Sequence, residues 1–313
     1  MPKIISIASG KGGAGKSMVA SNIALLLAKR GIQVILVDLD TGGPNLHILF
    51  GLFHPTATLT DFLDRRIKNL QAILQPISIC PHLSLIPGTG DTLLTANLPH
   101  AKKKRLINNL RKLESDIIFV DVGAGTSLHT LDFFLFADRY LTVTTPEPTS
   151  VLDLYRFIKL AAIRKVVSAF LARDPVAEAL LNRDFQSVQE VLETVGETNE
   201  AGKAVAEAAL HTFKPCLILN RMGGGSKVNT LQLQKMIRQY IGADLLLLGQ
   251  IPEDKAVEQS IRKYLPVVEY ASHSPASIAF SQITGTLVRW LESDPSPSPA
   301  WSVESRVGKV PPA

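Results

Sequence analysis

Hydrophobic and polar positions follow two different patterns along this chain. Short continuous apolar runs, typical of strands covered on both faces of a sheet, are separated by longer stretches with helical apolar spacing. This alternation predicts an α/β fold: a doubly wound, mostly parallel sheet flanked by helices. The predicted strands are residues 3–8, 33–38, 83–87, 116–121, 139–144, 215–220 and 244–250, with a short one near 266–269.

Helical spacing fills the intervals between these strands. Predicted helices include residues 18–29, 149–172, 231–241, 256–263 and 274–291. A chain of 313 residues is long enough for one α/β core and does not require two. We expect a single domain over 1–292, with a helical insertion at about 165–209 that either packs on the sheet or docks a partner. Residues 293–313 are rich in proline and serine, which predicts a disordered tail.

The composition limits which cellular compartment and which classes of protein we expect. The apolar runs fall short of the roughly 18 residues that a membrane-spanning helix requires. The first predicted strand follows Met1 almost directly, which leaves no room for a signal peptide, so we expect a cytoplasmic protein. Cys80 and Cys216 form no Cys-x-x-Cys motif, which indicates buried or ordinary thiols and argues against an iron–sulfur carrier.

The charge balance is mildly basic. Lysines and arginines number 33 against 28 acidic residues, a net charge of +5. Such an excess suits an anionic surface without establishing one. The densest cluster, residues 102–105, opens an amphipathic helix. It is interpreted as a solvated helix face, with contact to phospholipid or DNA as the alternative.

Residues 10–17 read Gly-Lys-Gly-Gly-Ala-Gly-Lys-Ser and lie between the first predicted strand and the first predicted helix. Gly10, Gly15, Lys16 and Ser17 have the spacing of a phosphate-binding loop. In such a loop, backbone N–H groups point at phosphate oxygens, the lysine contacts the β- and γ-phosphates, and the hydroxyl can ligate Mg²⁺. The strand–loop–helix context therefore predicts binding of a nucleoside triphosphate.

A second lysine, Lys11, follows the first glycine of the loop. It comes too early to reach its own γ-phosphate from the helix side, so it is predicted to project outward and neutralise phosphate across a dimer interface. That role is the one an arginine finger supplied in trans performs; a solvated loop lysine is the alternative. Here the sequence resembles the MinD/ParA family of ATPases, whose signature Lys-Gly-Gly-x-Gly-Lys-Ser/Thr matches residues 11–17 completely.

Carboxylates follow two predicted strands at the edge where the sites of parallel sheets gather. The resemblance assigns Asp38 to the Mg²⁺ shell and Asp40 to orienting or activating the attacking water. Asp121 provides the second acidic site and holds Mg²⁺ through water. The metal ligands are thus predicted to be Ser17, Asp38 and Asp121. The predicted catalytic residues are Lys11, Lys16 and Asp40.

Two further segments match switch elements of the family. Asn45 falls where the family places an asparagine that faces the dimer, although Asx capping of a turn is the alternative. Gly123 and Gly125 form a hinge whose N–H groups are placed to sense the γ-phosphate. Most of the family has Asp-x-Pro-Ala-Gly at 121–125, and glycine replaces the proline here, as in flagellar-number regulators of the FlhG/FleN type.

Base recognition is assigned to Asn220 and Arg221, which follow an apolar strand. An asparagine amide can pair with both the N6 and N7 groups of adenine, and the family closes this pocket with the loop after the next strand, here 251–254. We therefore expect ATP rather than GTP, with Mg²⁺. The predicted nucleotide-binding residues are Gly10, Lys11, Gly12, Gly13, Ala14, Gly15, Lys16, Ser17, Met18, Asn220, Arg221, Pro252 and Glu253.

The resemblance implies a molecular switch that dimerises with ATP, hydrolyses it to ADP and phosphate, and acts as a spatial regulator of the cell-division site or of flagellar number and placement. Its expected partners are a second copy of itself and a protein activator or cargo adaptor. A ParA-type DNA or cargo partitioning ATPase is the first alternative, and a nucleotide-gated interaction module with little hydrolysis is the second. Because the tail after residue 293 is poor in apolar residues, any association with the inner face of the membrane, or with the nucleoid, is expected to be weak or indirect.

Overall fold

One sheet organises the computed structural model, which describes residues 1–40, 43–88, 98–170, 174–181, 183–225 and 228–293. The strands are β1 (Lys3–Ala8), β2 (Val34–Leu39), β3 (Gln75–Pro76), β4 (Leu83–Ile86), β5 (Ile117–Val122), β6 (Arg139–Thr144), β7 (Pro215–Met222) and β8 (Leu246–Pro252). Their order across the sheet is β3-β4-β2-β5-β1-β6-β7-β8. Every described pairing is parallel except that between β3 and β4.

Helices cover both faces of this sheet, so the predicted doubly wound α/β class is confirmed. They are α1 (Lys16–Lys29), α2 (Leu59–Leu63), α3 (His100–Leu110), α4 (Leu128–Leu135), α5 (Pro148–Val167), α6 (Pro175–Leu181), α7 (Val188–Thr198), α8 (Glu200–His211), α9 (Thr230–Ile241), α10 (Lys255–Arg262), α11 (Val267–Tyr270) and α12 (Pro275–Glu292). Short 3₁₀ turns occupy Ile48–Phe50 and Leu70–Ile73. Within the described ranges, no helix is long and apolar enough to cross a bilayer.

The core consists of two hydrophobic layers, one on each face of the sheet. Alternation along β1 sends Ile4 into the layer that contains Phe134 and Phe157, and Ile5 into the layer that contains Ile23 and Phe280. Helices α4, α5 and α7 pack on the first face, whereas α1 and α12 pack on the second. This two-sided burial explains why most strands read as continuous apolar runs.

One expected strand is wrong, and one strand of the structure was not expected. Residues 266–269 form no strand, because α11 occupies this position. The backbone there is held by side chains of its neighbours: Val268 N–H donates to Asn22 of α1 at 3.0 Å, and the Val267 carbonyl accepts from Ser277 of α12 at 3.1 Å. The antiparallel edge strand β3 was not expected, since its two residues carry no readable pattern.

The region predicted as an insertion contains α6, α7 and α8, between α5 and β7. Apolar residues of α7 are buried in the same layer as Phe157 of α5, namely Val188, Val191 and Val195. These helices therefore pack against α5, although their status as an insertion stays a prediction.

Helix α5 ends at Val167, earlier than expected. The predicted tail from 294 onward lies outside the described residues, and both cysteines are buried free thiols.

A half-buried cluster of charges ties three helices together on the first face. Asp132 of α4 accepts hydrogen bonds from Lys103 of α3 at 2.5 Å and from Arg164 of α5 at 2.7 Å. Burial by itself raises the pKa of Asp132, but the hydrogen bonds and charges of Arg164 and Lys103 outweigh it and hold the pKa below its ordinary value. The carboxylate is therefore more stable in the folded chain than in the unfolded one.

We expect Asp132→Asn to lower the free energy of unfolding by about 1–3 kcal/mol at neutral pH, because two partly buried cations lose their counter-ion. Since folding lowers the pKa of Asp132, its contribution is complete above the ordinary carboxyl pKa and is lost as the pH falls through the folded value. Urea unfolding at neutral pH and in steps below pH about 4 measures this loss. Asp244→Asn is the control, because its ion pair with Arg238 is exposed; equal effects of the two substitutions would contradict the assignment.

Candidate nucleotide-binding site

The loop between β1 and α1 is a phosphate cradle built from backbone. Gly13 and Gly15 adopt positive φ angles of 83° and 90°, which side chains rarely tolerate. Gly15 is the N-cap of α1, and Lys16 is its first residue. The helix begins with unsatisfied N–H groups and the positive end of its dipole at the loop, the usual arrangement of an anion site. Gly12 and Gly13 are exposed beside buried Ala14.

Two glycines of the loop are required by neighbouring elements. A methyl group at Gly10 would lie 2.2 Å from the carbonyl carbon of Asp153 in α5, and one at Gly15 would lie 2.3 Å from the Nδ2 atom of Asn220 at the end of β7. A methyl group at Gly12 would meet nothing within 4 Å. The loop is therefore fitted between α5 on one side and β7 on the other.

The two lysines of the loop lie in different surroundings. Lys16 is buried, and its ammonium lies 3.7 Å from Asp40 Oδ2. Lys11 donates instead to Thr149 Oγ1 at 3.1 Å, in the first turn of α5, while its carbonyl accepts from Ser9 Oγ at 2.7 Å. Lys16 is thus directed into the cradle, and Lys11 is directed away from it toward α5.

Two carboxylates meet at the centre of this edge of the sheet. Parallel pairing of β2 with β5 places Asp38 directly opposite Asp121, and both are buried. Asp38 accepts hydrogen bonds from the backbone N–H groups of Asp40 and Leu46, each at 3.1 Å. Ser17 Oγ donates to Asp121 Oδ2 at 2.5 Å. The predicted metal ligands Ser17, Asp38 and Asp121 are therefore gathered in one place.

The electrostatics of this pair favour a cation. Burial raises the pKa of Asp38 well above its ordinary value and the charge of Asp121 raises it further, against the opposing backbone hydrogen bonds. Burial likewise raises the pKa of Asp121 to about 6, although Lys16 and Ser17 oppose the shift. Asp121 Oδ1 is buried and has no hydrogen-bond partner among the described residues. A hard divalent cation fits an oxygen donor set of this kind.

The described residues contain no group of three or more His, Cys, Asp or Glu side chains arranged to hold a metal by themselves. In nucleotide sites Mg²⁺ usually takes one or two carboxylates and completes its shell with water and substrate phosphates. The set of Ser17, Asp38 and Asp121 therefore suits Mg²⁺ that arrives with a nucleotide.

The segments after β2 and β5 reach each other across the same edge. A methyl group at Gly123 would lie 3.3 Å from Asp40 Oδ1, and Gly125 N–H donates to the Ser9 carbonyl at 3.2 Å. Asp40 thus lies between Lys16 of the loop and the segment that follows β5. Asn45 lies on the surface near this edge.

The residues assigned to the base lie at the ends of β7 and β8. Asn220 is buried, and its Nδ2 donates to the Ala14 carbonyl at 2.9 Å, so this amide group is bonded to the phosphate loop. Arg221 is exposed and has a φ of 57°. Glu253 N–H donates to the Met222 carbonyl at 3.1 Å, which draws the end of β8 toward β7. Contact of these residues with adenine stays a prediction.

Met18 and Pro252 complete the predicted set. The methyl carbon of Met18 would lie 3.6 Å from a methyl group at Gly15, on the side of the loop that faces Asn220. Pro252 is the last residue of β8. The sequence-based assignment missed Thr149, the partner of Lys11. Its only signal was its position in the Thr/Pro/Ser-rich segment 144–153 that follows β6, which assigns no role to a single residue.

Gly10→Ala should lower the free energy of unfolding by about 1–3 kcal/mol, because the added methyl group overlaps the backbone of α5 and forces the loop away from it. Gly12→Ala is the matched control in the same loop, since its methyl group points into open space and its backbone needs no positive φ. Urea unfolding of the two variants without nucleotide makes the comparison. Equal stability of the variants would show that the contact between Gly10 and α5 is not tight.

Comparison with known proteins agrees with this geometry. A family model described as the CobQ/CobB/MinD/ParA nucleotide binding domain matches residues 5–267. The antiactivator FleN of Pseudomonas aeruginosa is 26% identical over 292 residues, covering 92% of this chain and 87% of FleN. The flagellum site-determining protein YlxH of Helicobacter pylori is 36% identical over 178 residues, covering 56% of this chain and 59% of YlxH.

Solved structures show the same fold. The septum site-determining protein MinD of Pyrococcus horikoshii, complexed with Mg-ADP, has a TM-score of 0.65 at 24% identity, with 92% of this chain and 96% of that chain covered. The family match spans most of the chain and includes the whole phosphate loop. The chain therefore belongs to the CobQ/CobB/MinD/ParA family of nucleotide-binding domains and is a P-loop ATPase of the MinD/ParA type.

Proposed function

We propose that this ATPase is a dimerising switch that binds ATP with Mg²⁺, hydrolyses ATP to ADP and phosphate, and acts as a spatial regulator of flagellar number and placement or of the cell-division site. The observation that carries the proposal is the divergence of the two loop lysines. Lys16 faces the cradle, whereas Lys11 is held at the first turn of α5. Because Lys11 points away from the phosphate loop of its own chain, its ammonium can approach a nucleotide bound to a second copy of the chain.

The phosphates of ATP would lie against the loop N–H groups and Lys16. Ser17, Asp38 and Asp121 would hold Mg²⁺, which supplies charge neutralisation at the β- and γ-phosphates. Asp40 lies beside both Lys16 and Gly123, where its carboxylate is suited to orient a water for in-line attack. Transfer of a phosphoryl group needs positioning and charge stabilisation more than a strong base, and Lys11 of the second copy would add the missing positive charge.

The relatives support regulation of position as the cellular role. FleN is named an antiactivator, YlxH a flagellum site-determining protein, and the MinD relative of Bacillus subtilis, 34% identical over 161 residues, a septum site-determining protein. A MinC:MinD complex of Aquifex aeolicus shows that one protein of this fold binds another protein. We infer that this chain likewise acts through a protein activator or cargo adaptor.

Asp40→Ala should bind ATP with Mg²⁺ and accumulate as a dimer, because hydrolysis stops while the γ-phosphate persists. Lys11→Ala should bind ATP but remain a monomer, with hydrolysis at least about a hundredfold slower, because the charge supplied across the interface is lost. Multi-angle light scattering with ATP and Mg²⁺, together with a phosphate-release assay, measures both effects. Lys16→Ala, expected to bind ATP too weakly to dimerise, is the control.

A monomeric Asp40→Ala protein that still binds ATP would contradict the dimerising switch and leave a nucleotide-gated interaction module. Salt-sensitive binding of the Asp40→Ala dimer to random duplex DNA would favour a partitioning ATPase instead.

Truncation after Ser293 should leave ATP hydrolysis and dimerisation unchanged, because α12 ends at Glu292 and is complete without the residues that follow. Those residues carry scattered valines, one tryptophan and several prolines, a pattern that gives no continuous apolar face for lipid. Co-sedimentation with phosphatidylglycerol-rich vesicles, ATP and Mg²⁺ should therefore be weak for both lengths. Strong sedimentation that disappears on truncation would identify the tail as a membrane anchor.

A further inference from the structure

A cavity of about 410 Å³ opens between α4, α5, Leu180 and residues 183–186. Its volume lies in the range typical of ligand-binding pockets. The floor is apolar and is formed by Leu131 of α4 with Leu160, Ile163 and Val167 of α5. We call this cavity, with the helix surfaces that lead into it, the α4–α5 groove. None of the residues assigned to the nucleotide or to Mg²⁺ lines it.

The rim of the groove is mainly cationic. Lys159 of α5 donates to the Phe185 carbonyl at 3.1 Å. Arg183 is exposed, with its guanidinium 5.8 Å from the centre of the Phe185 ring and 3.4 Å from Thr194 Oγ1. Asp184 is a carboxylate of the same rim.

Arg164 also lines the groove, and its charge is offset by Asp132, which is shared with Lys103. Lys159 and Arg183 together with that cluster therefore outweigh Asp184. The rim keeps a net positive charge beside the apolar floor.

Apolar surface continues from the cavity toward the nucleotide edge of the molecule. Leu128, the first residue of α4, lines the cavity and is 59% exposed, and Leu152 of α5, outside the lining, is 49% exposed. Leu152 precedes Lys159 and Ile163 by seven and eleven residues, a spacing that puts all three on one face of α5. Side chains at helical spacing would therefore find successive apolar contacts along this surface.

Both walls of the groove begin in the nucleotide site. The N-cap of α4 is Ser127, two residues beyond Gly125, whose N–H is bonded to Ser9. The first turn of α5 holds Lys11 through Thr149, and the next turn packs against Gly10. A ligand that moves α4 relative to α5 would therefore shift Lys11 and the segment with Gly123 and Gly125, which is predicted to sense the γ-phosphate, at the same time.

We propose that the α4–α5 groove binds an acidic amphipathic helix of a partner protein, and that binding there is linked to the nucleotide state. This inference rests on the proposed switch function and names its partner surface. Leucine-like side chains would enter the apolar floor, and carboxylates would pair with Lys159 and Arg183.

The charge of the rim decides against a second copy of this chain as the occupant. In a symmetric dimer across the groove, the same patch faces itself, so Lys159 and Arg183 would approach their own copies. A small molecule that fills the cavity would cover Leu128 but leave Leu152, which lies outside the lining, exposed to water. An acidic amphipathic helix can cover the exposed leucines with its apolar face and pair its carboxylates with the cationic rim.

The experiment uses the full chain and two synthetic helical peptides of about 15 residues. One carries leucines at i, i+3 and i+7 among glutamates, and the other is identical with lysines in place of the glutamates. Fluorescence anisotropy of the labelled peptides gives Kd for the wild type, Arg183→Glu and Leu128→Asp. Aspartate suits the first turn of a helix, so Leu128→Asp is expected to fold. Lys235→Glu, at an exposed position on α9, is the matched charge-reversal control.

The acidic peptide should bind the wild type at least about tenfold more tightly than the basic peptide does, and Arg183→Glu and Leu128→Asp should each lose about tenfold. Lys235→Glu should stay within about twofold, and Arg183→Glu should keep the basal rate of ATP hydrolysis. Equal binding of the two peptides, or binding that both groove variants leave intact, would overturn the assignment. Loss of dimerisation in Arg183→Glu without any change in peptide binding would assign the groove to a second copy and overturn it as well.

The linkage is measured by repeating the titration without nucleotide and with ATP on Asp40→Ala. The two Kd values should differ by at least about fivefold, and identical values would refute the linkage. Peptide binding is read directly, so it is separable from the proposed function. If the acidic peptide binds selectively while ATP produces no dimer, the switch proposal fails and the groove assignment stands; the reverse outcome refutes the groove alone.

Discussion

The arrangement of the nucleotide-binding edge depends on two buried carboxylates, Asp38 and Asp121, that face each other on neighbouring strands. Parallel pairing of β2 with β5 fixes Asp38 opposite Asp121, where desolvation and mutual repulsion disfavour the charged forms of both. The ammonium of Lys16 and the hydroxyl of Ser17 relieve part of this cost, and a divalent cation would relieve more. The site is therefore prepared for a ligand that brings positive charge with its phosphates.

The loops around the two carboxylates are held in place by close packing against helices and strand ends. The phosphate loop has α5 against Gly10 and Asn220 against Gly15, so it cannot move without moving a helix or a strand end. Asp40 Oδ2 lies 3.7 Å from Lys16 Nζ, and the Asp40 side chain lies close to Gly123 in the segment after β5. Helices α4 and α5 begin at these same contacts, which gives the nucleotide site two rigid connections to the first face of the sheet. Close-packed elements transmit such displacements because they cannot deform continuously.

The helices α6, α7 and α8 pack on α5, one of the two helices that connect the nucleotide site to the first face of the sheet. Their buried valines extend the hydrophobic layer of α5, and Leu180 with residues 183–186 closes one side of the groove beside it. The family fold supplies the nucleotide chemistry at one edge of the sheet. The proposed groove lies on the same two helices, away from the phosphate loop, so a protein partner bound there would not displace nucleotide.

The sequence by itself determined the α/β class, seven of the strands and the phosphate loop, because continuous apolar runs and glycine spacing are local properties of the chain. It also placed Asp38 and Asp121 at one sheet edge, since parallel strands share the direction of their carboxyl ends. Only the tertiary structure decided that Val267–Tyr270 is helical where a strand was expected at 266–269, because Asn22 and Ser277 from distant helices occupy its backbone groups. Likewise, only the fold brings Thr149 to Lys11 and α5 to Gly10, contacts made across more than a hundred residues by packing that no local pattern encodes.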